Sequence, residues 1–149
     1  MVIGLVLGLV YTNLVEWLIH RYLLHALGSK PGSSLRFHWE HHRRVRRNHY
    51  LDPTYQDRVS HDTLREVGGL FFLFLLHLPL AWVSPWFVVG VFLGTVLYLV
   101  VHHFSHMYPE WGKRWTPWHH DHHMGKNQNA NWCVTSPLWD WILRTRVKP

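Results

Sequence analysis

Three long apolar stretches punctuate the chain. The first runs from Met1 to about Leu24 and is interrupted only by Asn13, Glu16, His20 and Arg21, all toward its far end. At a rise of about 1.5 Å per residue it is long enough to cross a hydrocarbon core of roughly 30 Å. The second, Gly68–Val83, and the third, Pro85–Val101, meet at Ser84-Pro85, which leaves room only for a tight helical hairpin. Both are short for a bilayer, so local thinning or the flanking Trp82 and Trp86 would have to accommodate them. The expected fold is all-α and integral to a membrane: three transmembrane helices plus a cytoplasmic helical cap, with residues 1–149 forming one domain.

Charge places these segments. All 15 Lys and Arg fall in residues 21–66 and 113–149, whereas Met1–Val15 and Val67–Val101 carry no Asp, Glu, Lys or Arg. Three crossings put both basic regions on one side, and the bias of basic loops makes that side cytoplasmic, with the N-terminus outside. The basic pI of about 9.8 is thereby explained by topology, and nucleic acid is not an expected partner. Met1–Val10 has the apolar character of a signal peptide but neither a basic start nor a convincing cleavage site, so it reads as a retained anchor.

Composition changes the picture at one residue type. Histidine occurs 15 times in 149 residues, against a single cysteine, Cys133. One cysteine excludes a disulfide framework and thiolate-held zinc or iron–sulfur clusters, so a metal would be held by nitrogen and oxygen. Neither a Rossmann glycine pattern nor an iron–sulfur motif is present, so any reductant is external.

The histidines fall into four clusters at the ends of the apolar runs and in the loops that follow: His20 and His25 (HxxxxH), His38, His41 and His42 (HxxHH), His102 and His106 (HxxxH), and His119, His122 and His123 (HxxHH). Helical positions i, i+3 and i+4 share a face, so each HxxHH is expected to aim three imidazoles at a common point, as does the i, i+4 pair His102 and His106. The i, i+5 spacing of His20 and His25 does not fit a continuous α-helix and predicts a distortion near Leu24. Twelve residues separate His25 from His38, and twelve separate His106 from His119. The chain thus holds two copies of one module with five histidines each, enough for two metal ions bound by neutral imidazoles.

This pattern, with the words EWLIHRYLLH at 16–25, HWEHHRRVRRNHYLDP at 38–53 and NWCVTSPLWDWILRT at 131–145, resembles the fatty acid hydroxylase and sterol desaturase superfamily of integral-membrane, non-haem di-iron oxygenases. The resemblance covers nearly the whole chain. It implies that His20, His25, His38, His41, His42, His102, His106, His119, His122 and His123 hold two iron ions on the cytoplasmic face, with zinc a substitute in purified protein. It also implies oxygen-dependent attack on a lipid C–H bond, with dioxygen as co-substrate and electrons from a separate carrier and its reductase. Members of the superfamily commonly have four transmembrane helices, one more than this sequence provides. The HxxxH third cluster and the VTSPLWD word lean toward the fatty-acyl branch. A carotenoid or sterol oxygenase or desaturase is the alternative within the same chemistry, and a metal transporter or storage protein is the alternative outside it.

Other polar residues carry smaller expectations. Glu16, one turn before His20, is a costly carboxylate in an apolar run and is expected to act at the site by hydrogen-bonding a ligating imidazole, or else to snorkel to the membrane interface. Asp121 would orient an imidazole or face solvent, and Asp140 would be a structural cap. His103 and His120 point away from the ligating faces. His49 and His61 belong to a polar loop with Asp52, Asp57 and Asp62, and His77 is expected to bond a neighbouring carbonyl. Arg43–Arg47 would meet anionic head groups or an acidic electron carrier. Tryptophans 111, 115, 118, 132, 139 and 141 suit a cap at the membrane interface, some of them lining the substrate entrance.

Overall fold

A computed structural model describes residues 1–56 and 60–148; Asp57 lies outside the described residues. Three helices among them are long and apolar enough to cross a membrane, Val2–Leu27, His61–Trp82 and Pro85–Met107. The protein is an integral membrane protein built from helices.

Helix α1 (Val2–Leu18) has no proline and almost no polar side chain before Asn13, and it passes without a break into a π-helical segment, Ile19–Leu27. Helix α2 (Phe37–Arg47) follows a short 3-10 turn and carries the first HxxHH. The third, α3 (His61–His77), begins where Ser60 accepts the Thr63 backbone N–H and continues as a 3-10 turn to Trp82, in which Pro79 withholds a donor. Pro85 opens α4 (Pro85–Met107), as Pro109 opens α5 (Pro109–Trp115) and Pro117 opens α6 (Pro117–Met124). Proline suits this first helical position because its missing N–H would have had no partner there. A short α7 (Leu138–Ile142) completes the order.

The expected short second and third crossings are in fact 22 and 23 residues long. Capping at Ser60 starts α3 seven residues before its apolar run, and α4 continues through His102 and His106, which are buried rather than solvated. Helices α1 and α4 form the tightest pair. At Gly8 and Gly90 the backbones come so close that a methyl on either residue would strike a carbonyl oxygen of the other helix, that of Phe87 or of Leu5. Small residues are what permit such an approach between membrane helices. Helix α3 packs on α4 but diverges from α1, leaving a cavity of about 370 Å³ between α1, α3 and α4. Helices α2 and α6 pack across one end of this bundle, and the irregular stretch 125–137 turns back beneath their histidines.

Candidate metal centre

The π-helix resolves the awkward spacing of the first motif. Its i→i+5 hydrogen bonding, seen in the Gly28 N–H to Leu23 carbonyl bond of 2.9 Å, brings residues five apart onto one face. His20 and His25 therefore aim together, with ring centroids 5.1 Å apart. The expected distortion is a regular change of helix type spanning nine residues.

Nine of the ten motif histidines gather into two buried groups: His20, His25, His38, His42 and His122 in one, His41, His102, His106 and His123 in the other. Within each group the potential ligand nitrogens all lie within 4.8 Å of one another. The tenth, His119, joins the second group's edge, its Nε2 being 3.1 Å from Nε2 of His106. The groups touch where the tilted His42 and His123 rings meet, with centroids 4.1 Å apart.

The expectation that each HxxHH aims its three imidazoles at a common point does not hold, because each motif divides between the groups. His41 sits with the histidines of the second copy, and His122 with those of the first. The reason lies in helix geometry. Positions i and i+4 are only about 40° apart around the axis, while i+3 is about 100° from i+4. So His38 and His42 stay together and His41 is thrown to the other side; in α6, His119 and His123 stay together and His122 crosses. The middle histidine of each HxxHH is exchanged between the groups.

Hydrogen bonds at Nδ1 fix the chemical state of several rings. His20 donates to the Trp132 carbonyl at 2.5 Å, His122 to the Ala130 carbonyl at 2.7 Å, and His106 to the Tyr50 carbonyl at 3.0 Å. A carbonyl can only accept, so each Nε2 is left with a lone pair. Those of His20 and His122 are aimed at other ring nitrogens: Nε2 of His20 is 3.0 Å from that of His38, and Nε2 of His122 is 3.1 Å from that of His42, which is in turn 3.1 Å from that of His38. Nitrogens bound to one ion at about 2.0–2.1 Å would be about 3.0–3.4 Å apart, so the spacing fits a shared metal. His41 Nε2 and both ring nitrogens of His123 are buried without a hydrogen-bond partner among the described residues, as ligand atoms would be.

Electrostatics agree. Burial first, and neighbouring imidazoles second, hold His38, His42, His119 and His123 well below the usual histidine range. Burial likewise lowers His122, with His25 adding to the effect. These rings are neutral at neutral pH, the form that binds metal.

Two carboxylates absent from the expected set complete the second group. Asp52 lies 2.6 Å from His41 Nδ1 and also accepts from Arg44 and the Thr54 backbone; Glu66 lies 2.6 Å from His102 Nδ1 and 3.2 Å from His103. Burial would raise the Asp52 carboxyl, but His41 and Arg44 outweigh it and hold it well below the usual carboxylate range. Glu66 is the last acidic residue before the uncharged run that begins at Val67, and Asp52 follows the first HxxHH within the word shared with the superfamily; those were the signals available.

The expected acidic residues take other positions. Glu16 accepts from the backbone N–H groups of Val134 and Thr135, the Thr135 hydroxyl and Asn13, and bonds no imidazole among the described residues. It pins the segment whose Trp132 carbonyl orients His20. Asp121 pairs with Arg146 at 2.8 Å and lies 3.8 Å from His120, tying the C-terminal stretch to α6. Asp140 accepts the Trp132 and Cys133 N–H groups at 2.9 Å, a structural role. His49 and His61 are exposed and belong to neither group, nor does half-buried His120. None of the six tryptophans lines the cavity among the described residues: Trp132 packs against His20, His25 and His122, while Trp115 and Trp141 face outward.

The sequence profile of the fatty acid hydroxylase family matches residues 5–145. The chain belongs to the fatty acid hydroxylase family. Among curated members of this family it is 32% identical to the fatty acid 2-hydroxylase of Rattus norvegicus, covering 97% of this chain and 40% of that protein. It is 30% identical to the ceramide very long chain fatty acid hydroxylase of Saccharomyces cerevisiae, over 95% of this chain and 37% of the relative. The chain therefore spans about two fifths of the length of these relatives. No solved structure matches it.

Proposed function

We propose that residues 1–149 form one membrane-embedded unit that hydroxylates a fatty-acyl chain, using dioxygen and two electrons from an external carrier and its reductase. In balance, R–H, O2, two electrons and two protons give R–OH and water. The observation that carries this reading is the junction of cavity and histidines. His38, His41 and His102 stand at the head of an otherwise largely apolar cavity that runs between the membrane helices. A lipid already dissolved in the bilayer reaches that cavity without passing through water. The printed activities of the relatives favour a fatty-acyl substrate.

The ten motif histidines would hold two iron ions, and iron would supply the redox chemistry that activates oxygen, with imidazoles as ligands that withstand oxidising conditions. Zinc fits the same nitrogen donors and would give an inactive protein. The chain's own contribution is positional. Trp132, Ala130 and Tyr50 carbonyls fix three imidazoles in the ligating tautomer, and Asp52 and Glu66 do so for two more. Leu70, Leu73 and Val91 keep water from the acyl chain. Glu16 and Asp121 act on the site indirectly, by fastening the stretch from Asn129 to Arg146 that covers it. The positive-inside bias supports an orientation with the histidines and C-terminal stretch in the cytoplasm and the N-terminus outside. There Arg43, Arg46 and Arg47 offer a basic face to an acidic carrier.

The test compares, by mass spectrometry, lipids of cells expressing the wild type, a His122→Ala variant or an empty vector, supplied with iron and oxygen. A lipid one oxygen heavier only with the wild type is the expected result. Loss of two hydrogens would make the enzyme a desaturase, and no change, with iron present in the purified protein and a carrier supplied, would overturn the reading.

A further inference from the structure

The cavity has a far end, built from side chains that the oxygen chemistry does not touch. Its α1 wall runs from Leu24 down to Tyr11, its α3 wall from Asp62 to His77, and its α4 wall from His102 to Val91. The two diverging helices are rejoined at the bottom by one contact, in which the Tyr11 hydroxyl lies 3.0 Å from His77 Nε2. The direction of that bond is fixed. His77 Nδ1 is 2.7 Å from the Leu73 carbonyl and must donate to it, so Nε2 accepts and Tyr11 donates. The Tyr11 ring also lies against Phe87 of α4, at 5.3 Å, and edge-on to His77 at 5.4 Å. One aromatic side chain thus spans from α1 to both other helices.

An ionisable residue inside a membrane segment is expensive enough to need a reason. Here the imidazole has both nitrogens engaged, so the pair is not waiting for a polar ligand. It acts as a latch. His20 lies nine positions after Tyr11, on α1 and its π-helical continuation, and His77 eleven positions after Glu66 on α3, which corresponds to about 14–16 Å of depth. An extended chain advances about 1.2 Å per bond, so that depth holds about 12 bonds.

We propose that Tyr11, held in place by His77, is the floor of the substrate cavity and limits the length of acyl chain that fits beyond the attacked carbon to about a dozen carbons. This inference rests on the lipid-hydroxylase reading. Each methylene that enters above the floor leaves lipid or water for a fitted apolar wall. The next one meets the tyrosine ring and has to bend back or leave sideways between α1 and α3.

The test is a binding series on the full chain purified in detergent, in which straight-chain saturated fatty acids of increasing length displace a fluorescent fatty acid. For the wild type, apparent affinity should rise by up to about 4-fold per methylene and then level off at a definite length. In Tyr11→Ala the break should move to chains several carbons longer. Tyr11→Phe keeps the ring and should keep the break, while His77→Leu should blur it. The proposal is overturned if the wild type shows no break, or if the break stays in place in a Tyr11→Ala protein whose circular dichroism and metal content match the wild type. Because the readout is binding, a moved break in a protein that makes no hydroxylated lipid sinks the enzymatic reading alone, and an unmoved break in an active enzyme sinks the floor alone.

Discussion

The two histidine groups are built from equivalent motifs yet anchored differently. In the first group the outer nitrogens meet neutral partners: the Trp132 and Ala130 carbonyls, the Asn129 side chain at 3.4 Å from His25 and the Gln128 amide at 2.9 Å from His42. In the second, two of the anchors are carboxylates, Asp52 on His41 and Glu66 on His102. A carboxylate behind an imidazole raises its basicity as a ligand more than a carbonyl does. Two ions in these groups would therefore differ in electron density although both see only imidazole. Both groups reach the cavity between the membrane helices, the first through His20 and His38 and the second through the carboxylate-backed His41 and His102.

The largest test of this comparison is the exchange of middle histidines. His41→Ala and His122→Ala should each lower bound metal from two ions to one per chain and reduce hydroxylation at least about 100-fold, read by elemental analysis and product yield. Coupling then tells the groups apart. His41→Ala should be strongly non-additive with Asp52→Asn, and His122→Ala nearly additive with it. A reversed pattern would mean that each motif serves its own copy after all.

Next in size are the anchors. Asp52→Asn and Glu66→Gln should each weaken metal binding about 10- to 100-fold in competition with a chelator, whereas Gln128→Ala should cost less than about 10-fold. Equal effects would erase the distinction between the groups.

A smaller effect is expected from pH. In metal-free protein His38, His42, His119, His122 and His123 have folded-state affinities for protons below the unfolded value. Below about pH 6.5 the unfolded chain takes up protons that the native state refuses, so stability falls as pH falls from there. Thermal unfolding of chelated protein should therefore shift downward between about pH 7 and 5, and iron should suppress the shift until it dissociates. The smallest effect belongs to Glu16→Gln, which weakens a buried set of hydrogen bonds by about 1–3 kcal/mol while leaving metal content unchanged, read from unfolding in detergent.

Much of this was legible in the chain. The uncharged runs gave the three spanning helices, and the i, i+5 spacing of His20 and His25 announced a departure from the α-helix that became a π-helix. What could not be read was anything requiring the rotation of one helix relative to another. The exchange of His41 and His122 depends on α2 and α6 facing each other, which spacing along one helix cannot express. Asp52 and Glu66 reach their imidazoles from 11 and 36 positions away, and each reads locally as an ordinary loop or helix-start acid. Glu16 was singled out for its costly position, but its partners lie 118 and 119 residues further along, so its role as a clamp was out of reach of local pattern.

The exchanged histidines also order events during biosynthesis. The group gathered around His20 and His25 takes its fifth nitrogen from His122, near the far end of the chain. A ribosome that has delivered α1 into the bilayer and completed α2 has made four of those five ligands, but the set closes only after α3 and α4 are threaded and α6 has emerged. Capture of a metal ion in its final coordination would therefore be a post-insertion event, and a chain stalled before His122 would sit in the membrane with both histidine groups incomplete.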